Sequence, residues 1–155
     1  MSEAAEGRDP ATLEQYRLAT EMADRVSARR GAANTYFVSL QSALIAALGF
    51  LSSGDTPADS WVLTAVCAAG VVIAVTWYLL LRSYRDLNRA KFAVILRIEE
   101  ALPHHIFGDE WSELKRDPVK RWRPRYAELG TVERLVPAAF AALNVALGYY
   151  MGWCS

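Results

Sequence analysis

The sequence predicts an all-α integral membrane protein with three transmembrane helices, the second of which continues as a helix beyond the bilayer. Three observations predict it. First, Trp61 to Leu81 is a run of 21 residues without a charge, and a bilayer's hydrocarbon core is crossed by about 20 apolar residues. Second, of the 17 Lys and Arg none lies between Gly31 and Leu81 and none after Arg134, so charge is confined to blocks separated by apolar runs. Third, Arg82 to Leu102 contains no Gly or Pro, so nothing ends the helix before Pro103. At about 1.5 Å per residue, the stretch from Trp61 to Leu102 reaches roughly 60 Å, twice the hydrocarbon thickness.

Taken in order, residues 1–9 are mostly small and polar and are expected to be disordered. Asp9 and Pro10 read as an N-cap with proline at the first helical position, opening a juxtamembrane helix over 10–31. Leu13, Tyr16, Thr20 and Ala23 form one apolar seam, and Leu18, Met22 and Val26 a second. A solvated helix packing on its own neighbours accounts for this pattern. Contact with a membrane surface or another subunit is the alternative, favoured by Arg25, Arg29 and Arg30 beside the bilayer. Gly31 is expected to loosen the junction to the first span, 34–51. The 33 residues before that span are too long and too polar for a signal peptide's n-region.

The first span carries Gln41, whose amide is costly in hydrocarbon without a partner, and small residues at Ser39, Ala43 and Ala47 that let helices approach closely. A loop, 52–60, holds Gly54, Pro57 and only acidic charge, Asp55 and Asp59. The second span, 61–81, leads into a charged helical region, 82–130. A third span, 131–153, is capped by Thr131, with Pro137 in its first turns, Asn144 near its middle and Tyr149, Tyr150 and Trp153 at its far end. Placing all basic residues on one side by the positive-inside rule puts the N-terminus and 82–130 in the cytoplasm and the C-terminus outside. Cys67 in a span and Cys154 near the end lie at different depths, so no disulfide joins them.

Beyond Leu81 the second helix is apolar on two faces: Leu87, Val94 and Ile98 on one, Phe92, Ile95 and Leu96 on the other. Such a helix needs cover on both sides. Leu87, Val94, Ile98, Phe92 and Ile95 are therefore the candidate oligomer interface, with neighbouring copies and the N-terminal helix as the cover.

The sequence offers little chemistry. His104 and His105 stand near Asp109, Glu110 and Glu113, but adjacent histidines diverge and no HExxH or spaced cysteine pair accompanies them, so no metal site is expected. Asp109 is expected to cap a short helix through Trp111 to Arg116. No phosphate loop or activated nucleophile is present, so neither catalysis nor a cofactor is expected. The stretch with Lys115, Arg116, Lys120, Arg121, Arg123 and Arg125, interleaved with Trp122 and Tyr126, suits anionic lipid headgroups first. An acidic subunit surface such as Glu99 and Glu100, or an anionic ligand, are the other readings. Gln41, Thr64, Thr76 and Asn144 are the polar groups of the spans. Internal hydrogen bonding accounts for them, and Gln41 and Asn144 are the candidates to line a central axis in a ring of copies.

Together, EQYRLATEMADRVSARRGAANTYFVSL entering the first span, RSYRDLNRAKFAVILRIEEALP after the second, EW in the following turn and TVERLVPAAF opening the third resemble the RipA family of octameric bacterial inner-membrane proteins. More distantly, the basic helix ahead of a tight hairpin is similar to the SLATT two-span effectors of bacterial conflict systems, from whose pattern the third span departs. The first resemblance implies an octamer in the bacterial cytoplasmic membrane. Its expected partners are copies of itself, lipids including anionic headgroups, and a protein partner on the cytoplasmic side, without nucleic acid. Two functions follow as expectations: a scaffold or regulator working through a cytoplasmic helical ring, or a ligand- or partner-gated pore.

Overall fold

The computed structural model describes residues 10–53, 58–116 and 129–153. These form four α-helices and, among the described residues, no strand: α1 (Pro10–Ser53), α2 (Ser60–Glu99), α3 (Ile106–Arg116) and α4 (Leu129–Trp153). Helices α1 and α2, and Glu133–Gly152 within α4, are each long and apolar enough to cross a membrane. The disorder expected of residues 1–9 lies outside the described residues, as do 54–57 of the first loop.

Helix α1 is continuous where the sequence suggested a break. Gly31 keeps an ordinary helical backbone, with no glycine at positive φ among the described residues, and Thr35 Oγ1 donates to its carbonyl at 3.3 Å. One interior glycine costs a helix only about 1 kcal/mol, which 44 residues of helix readily absorb. Helix α2 begins behind Asp59, whose carbonyl accepts from Val62 and Leu63 and whose side chain accepts the Trp61 indole N–H at 3.3 Å. It closes three residues earlier than expected, in tight turns from Ala101 N to Ile98 O and Leu102 N to Glu99 O, because Pro103 lies ahead.

Helix α4 starts at Leu129, two residues before the expected cap, so Pro137 sits two turns inside the helix, buried, and not in its first turns. Proline is tolerated inside spans where neighbouring helices compensate for the missing N–H.

The described chain divides into two units. The first takes residues up to Arg29 together with Tyr84–Ala127, and the second takes Arg30–Ser83 with the chain from Glu128 onward. In the second, Leu48, Leu63 and Cys67 form a core against which Leu51, Val66, Leu147 and Met151 pack. Gly148 brings α4 so near α2 that an added Cβ would stand 3.1 Å from Cys67 Cβ. Trp77, buried, stacks on Phe37 at 5.7 Å and tilts against Phe140 at 6.1 Å, while its indole N–H donates to Asn34 Oδ1 at 2.9 Å. Arg30 and Glu133 face each other at 3.6 Å, tying α1 to α4. In the first unit Ala23, Val26 and Ile95 are buried, and Phe107 of α3 meets Phe92 edge-on at 5.5 Å and Tyr16 at 6.5 Å.

Candidate functional site

Two buried polar sites stand out, one in each unit. In the second unit, Gln41 on α1 and Asn144 on α4 are both fully buried. Gln41 Nε2 donates to the Gly70 carbonyl of α2 at 2.8 Å. Asn144 Nδ2 donates to Gln41 Oε1 at 3.2 Å and to the Phe140 carbonyl one turn back at 2.8 Å. The amide orientations follow from these partners, since turning Asn144 over would aim its oxygen at two other oxygens. Asn144 Oδ1 is left without a conventional donor. It lies against Gly70, where an added Cβ would collide with it, so the glycine admits the amide and its Cα–H is the neighbour that remains.

Gln41 and Asn144, the candidates to line an axis between copies, are within the single chain each buried and occupied by the other. The amides draw three helices together, the cheapest arrangement for polar groups in a medium that offers no water. Thr64 and Thr76 donate to the carbonyls of Ser60 and Val72 in their own helix. Ser39 and Ser42 on α1, by contrast, are exposed, as are Ala43, Ala46 and Ala47.

In the first unit, the node is Glu99 at the end of α2. Its carboxylate is fully buried. Oε1 accepts the Tyr16 hydroxyl of α1 at 2.7 Å and the Phe107 N–H at 2.9 Å, and Oε2 accepts the Gly108 N–H at 3.1 Å. Phe107 and Gly108 lie in the first turn of α3, whose N–H groups have no partner within the helix. Glu99 thus caps α3 from another helix, a negative charge at the positive end of its dipole. Asp109, expected as the cap, is instead inside α3, its own N–H donating to the His105 carbonyl at 2.8 Å.

Burial is the largest influence on Glu99 and opposes its charge, but the N–H of Phe107, the Tyr16 hydroxyl, the N–H of Gly108 and nearby His105 together hold its pKa below the usual carboxylate value. The Tyr16 hydroxyl is pushed up to about 12, first by burial and then by its bond to, and repulsion from, Glu99. Sequence reasoning offered Glu99 as an acidic partner for the basic stretch, and the structure shows it used internally. The available signal was a Glu at the end of an otherwise apolar face, one turn after Ile95.

The candidate interface residues separate. Ile95 is fully buried within its own chain, and Phe92 and Ile98 are partly covered, whereas Leu87 and Val94 are exposed. Ile95 lies on the same face of α2 as Glu99, the residue that bonds to α1 and α3. His104 and His105 occupy the exposed turn between α2 and α3. Lys115 and Arg116 fall in the last turn of α3, with side chains outside the described residues. Lys120, Arg121, Arg123 and Arg125 lie wholly outside them.

The model of the octameric membrane protein family, 8xMP, matches residues 13–153. The chain belongs to that family. Membership covers all four helices, and with three of them able to span a membrane it fits a membrane oligomer built from copies of one 8xMP chain. No curated protein and no solved structure matches the chain.

Proposed function

We propose that this 8xMP chain acts as a homo-oligomeric scaffold or regulator in the bacterial cytoplasmic membrane, working through a ring of helices on the cytoplasmic side and carrying out no catalysis. The observation that carries this reading is the mutual pairing of Gln41 and Asn144 inside one protomer. With those amides occupied, the most polar groups of the spans are withdrawn from any water path along an axis. What the first unit offers instead is surface: Leu18, Met22, Leu87 and Val94 are exposed apolar side chains among charges. The basic stretch from Lys115 to Arg125 supplies an anchor for anionic headgroups, and a cytoplasmic protein is the regulated partner. The resemblance of the sequence to RipA-like inner-membrane octamers supports this reading.

A gated pore is the second reading, and one observation favours it. Ser39 and Ser42 are exposed on α1 within its apolar part, so copies could place them on an axis. Ion flux from liposomes carrying the purified octamer separates the readings. The scaffold reading expects no resting flux, and expects Gln41→Leu and Asn144→Leu to alter stability without creating it. Constitutive flux lost in Ser39→Leu with Ser42→Leu establishes the pore instead.

A further inference from the structure

A family of octamers sets a symmetry problem that the exposed faces of the first unit answer. All copies of a membrane protein insert with the same topology, so no two-fold axis in the membrane plane relates them, and a closed ring about the membrane normal remains. Such a ring needs two different, complementary patches on each subunit, because a patch that pairs with itself stops at two copies.

The first unit carries two such patches. On α1, Leu18, Met22, Arg25 and Arg29 follow one another at spacings of 4, 3 and 4 along one stripe. All four are exposed, Leu18 by 56% and Met22 by 44%. On α2, Leu87, Ala90 and Val94 form a stripe with the same repeat, exposed at 46% for Leu87 and 50% for Val94, with Asp86 exposed beside it. Inside the protomer the bond from Tyr16 to Glu99 brings those two positions of α1 and α2 together. Counting equal rises from that pair places Met22 within about a turn of Ala93 and Val94, and Arg29 within about a turn of Asp86, a span that the long arginine side chain covers.

Resting on the reading of an assembled ring, we propose that neighbouring copies meet through these unlike stripes, with the helices running along the axis. The α2 stripe of one copy, Leu87, Ala90 and Val94, seats against Leu18 and Met22 of α1 on a second copy. Rotation about an axis preserves level, so Arg29 of one copy faces Asp86 of the next. Apolar residues meet at the centre and opposite charges at the rim, where charge fixes register and excludes wrong pairings. The alternative of α2 on α2 would set Arg89 against Arg89 and Arg97 against Arg97.

Two chains, one Met22→Cys and one Val94→Cys, are co-expressed with different tags in a Cys67→Ala, Cys154→Ser background and oxidised in membranes. The expected product is a disulfide-linked heterodimer, absent when either chain is expressed alone. A Val94→Cys homodimer, or no heterodimer from an assembly that light scattering shows to be octameric, overturns the proposal. An independent arm keeps the native cysteines: Arg29→Glu and Asp86→Arg should each lower the octamer fraction about tenfold, and together should restore it. Octamers untouched by the single reversals overturn the pairing, and this arm decides alone if the cysteine-free background does not assemble. A wild-type chain that never exceeds a monomer removes the assembly reading itself, and the pairing with it.

Discussion

Glu99 keeps its charge in the interior because three donors from two other helices converge on it. Removing the charge while keeping the shape, as Glu99→Gln does, replaces charge-assisted bonds with neutral ones. A cost of about 2 kcal/mol is expected, since hydrogen bonds to charged groups contribute about 1.5–3 and neutral ones about 1. Amide exchange at Phe107 and Gly108 should then quicken about 30-fold, at a factor of ten per 1.4 kcal/mol. The pH response has two edges. Because the folded pKa of Glu99 is depressed, its contribution is present above the ordinary carboxylate range, about pH 4, and is lost as pH falls through the lower folded value. For Tyr16 the shift is upward, so its contribution is present below about pH 10 and is lost as pH rises through about 12. Protection of the two α3 amides, with the intrinsic pH dependence of exchange divided out, should fall below the acid edge and above the alkaline one, and Tyr16→Phe should abolish the alkaline loss. At Gly70 the prediction is steric. Gly70→Ala drives a methyl into Asn144 Oδ1 and should cost about 1–3 kcal/mol, read as a lower thermal midpoint in detergent.

At the level of elements, the helices were legible wherever hydropathy and the absence of Gly and Pro agreed. That is how Trp61 to Leu102 anticipated α2, which runs from Ser60 to Glu99. The failures have a common cause. Gly31 read as a junction because local propensity counts a glycine against a helix, yet what decides continuity is the sum over many turns. Asp109 read as a cap because capping is usually local, whereas α3 is capped by a residue seven positions before its first turn begins. Gln41 and Asn144 were each recognisable as polar groups needing partners, but 103 residues separate them, and nothing in one sequence pairs them. If α1 is one continuous rod, Gly31→Ala should be neutral or stabilising by up to about 1 kcal/mol, while Gly31→Pro should break it at a cost of about 3 kcal/mol. Circular dichroism of the purified protein checks the first, and loss of assembly with the protein still inserted checks the second. No packing obstructs the alanine, since an added Cβ at Gly31 meets nothing within 4 Å.

At the scale of the whole molecule, the charge distribution was more informative than the net charge of zero. Seventeen basic residues fall outside both apolar stretches, so a three-span chain can place every one of them on a single side of the membrane. The positive-inside rule predicts that topology, with the N-terminus and the segment after α2 in the cytoplasm and the chain beyond α4 outside. The two native cysteines test it without any introduced residue. Cys67 is buried at the packing of α2 on α4, and a thiol in that position is closed to a charged reagent. Cys154 follows α4 in the sequence, and the three-span topology predicts it on the side opposite to the basic residues. A membrane-impermeant maleimide applied to cells with a permeabilised outer membrane should therefore label one cysteine per chain, and Cys154→Ser should abolish that label. Cys67→Ala should leave it unchanged. The opposite result, labelling of Cys154 only after the inner membrane is broken, would mean that α4 enters and leaves on the cytoplasmic side. The Arg30–Glu133 pair would then join two helices that start on the same face of the membrane without α4 crossing it, and the three-span topology would fail.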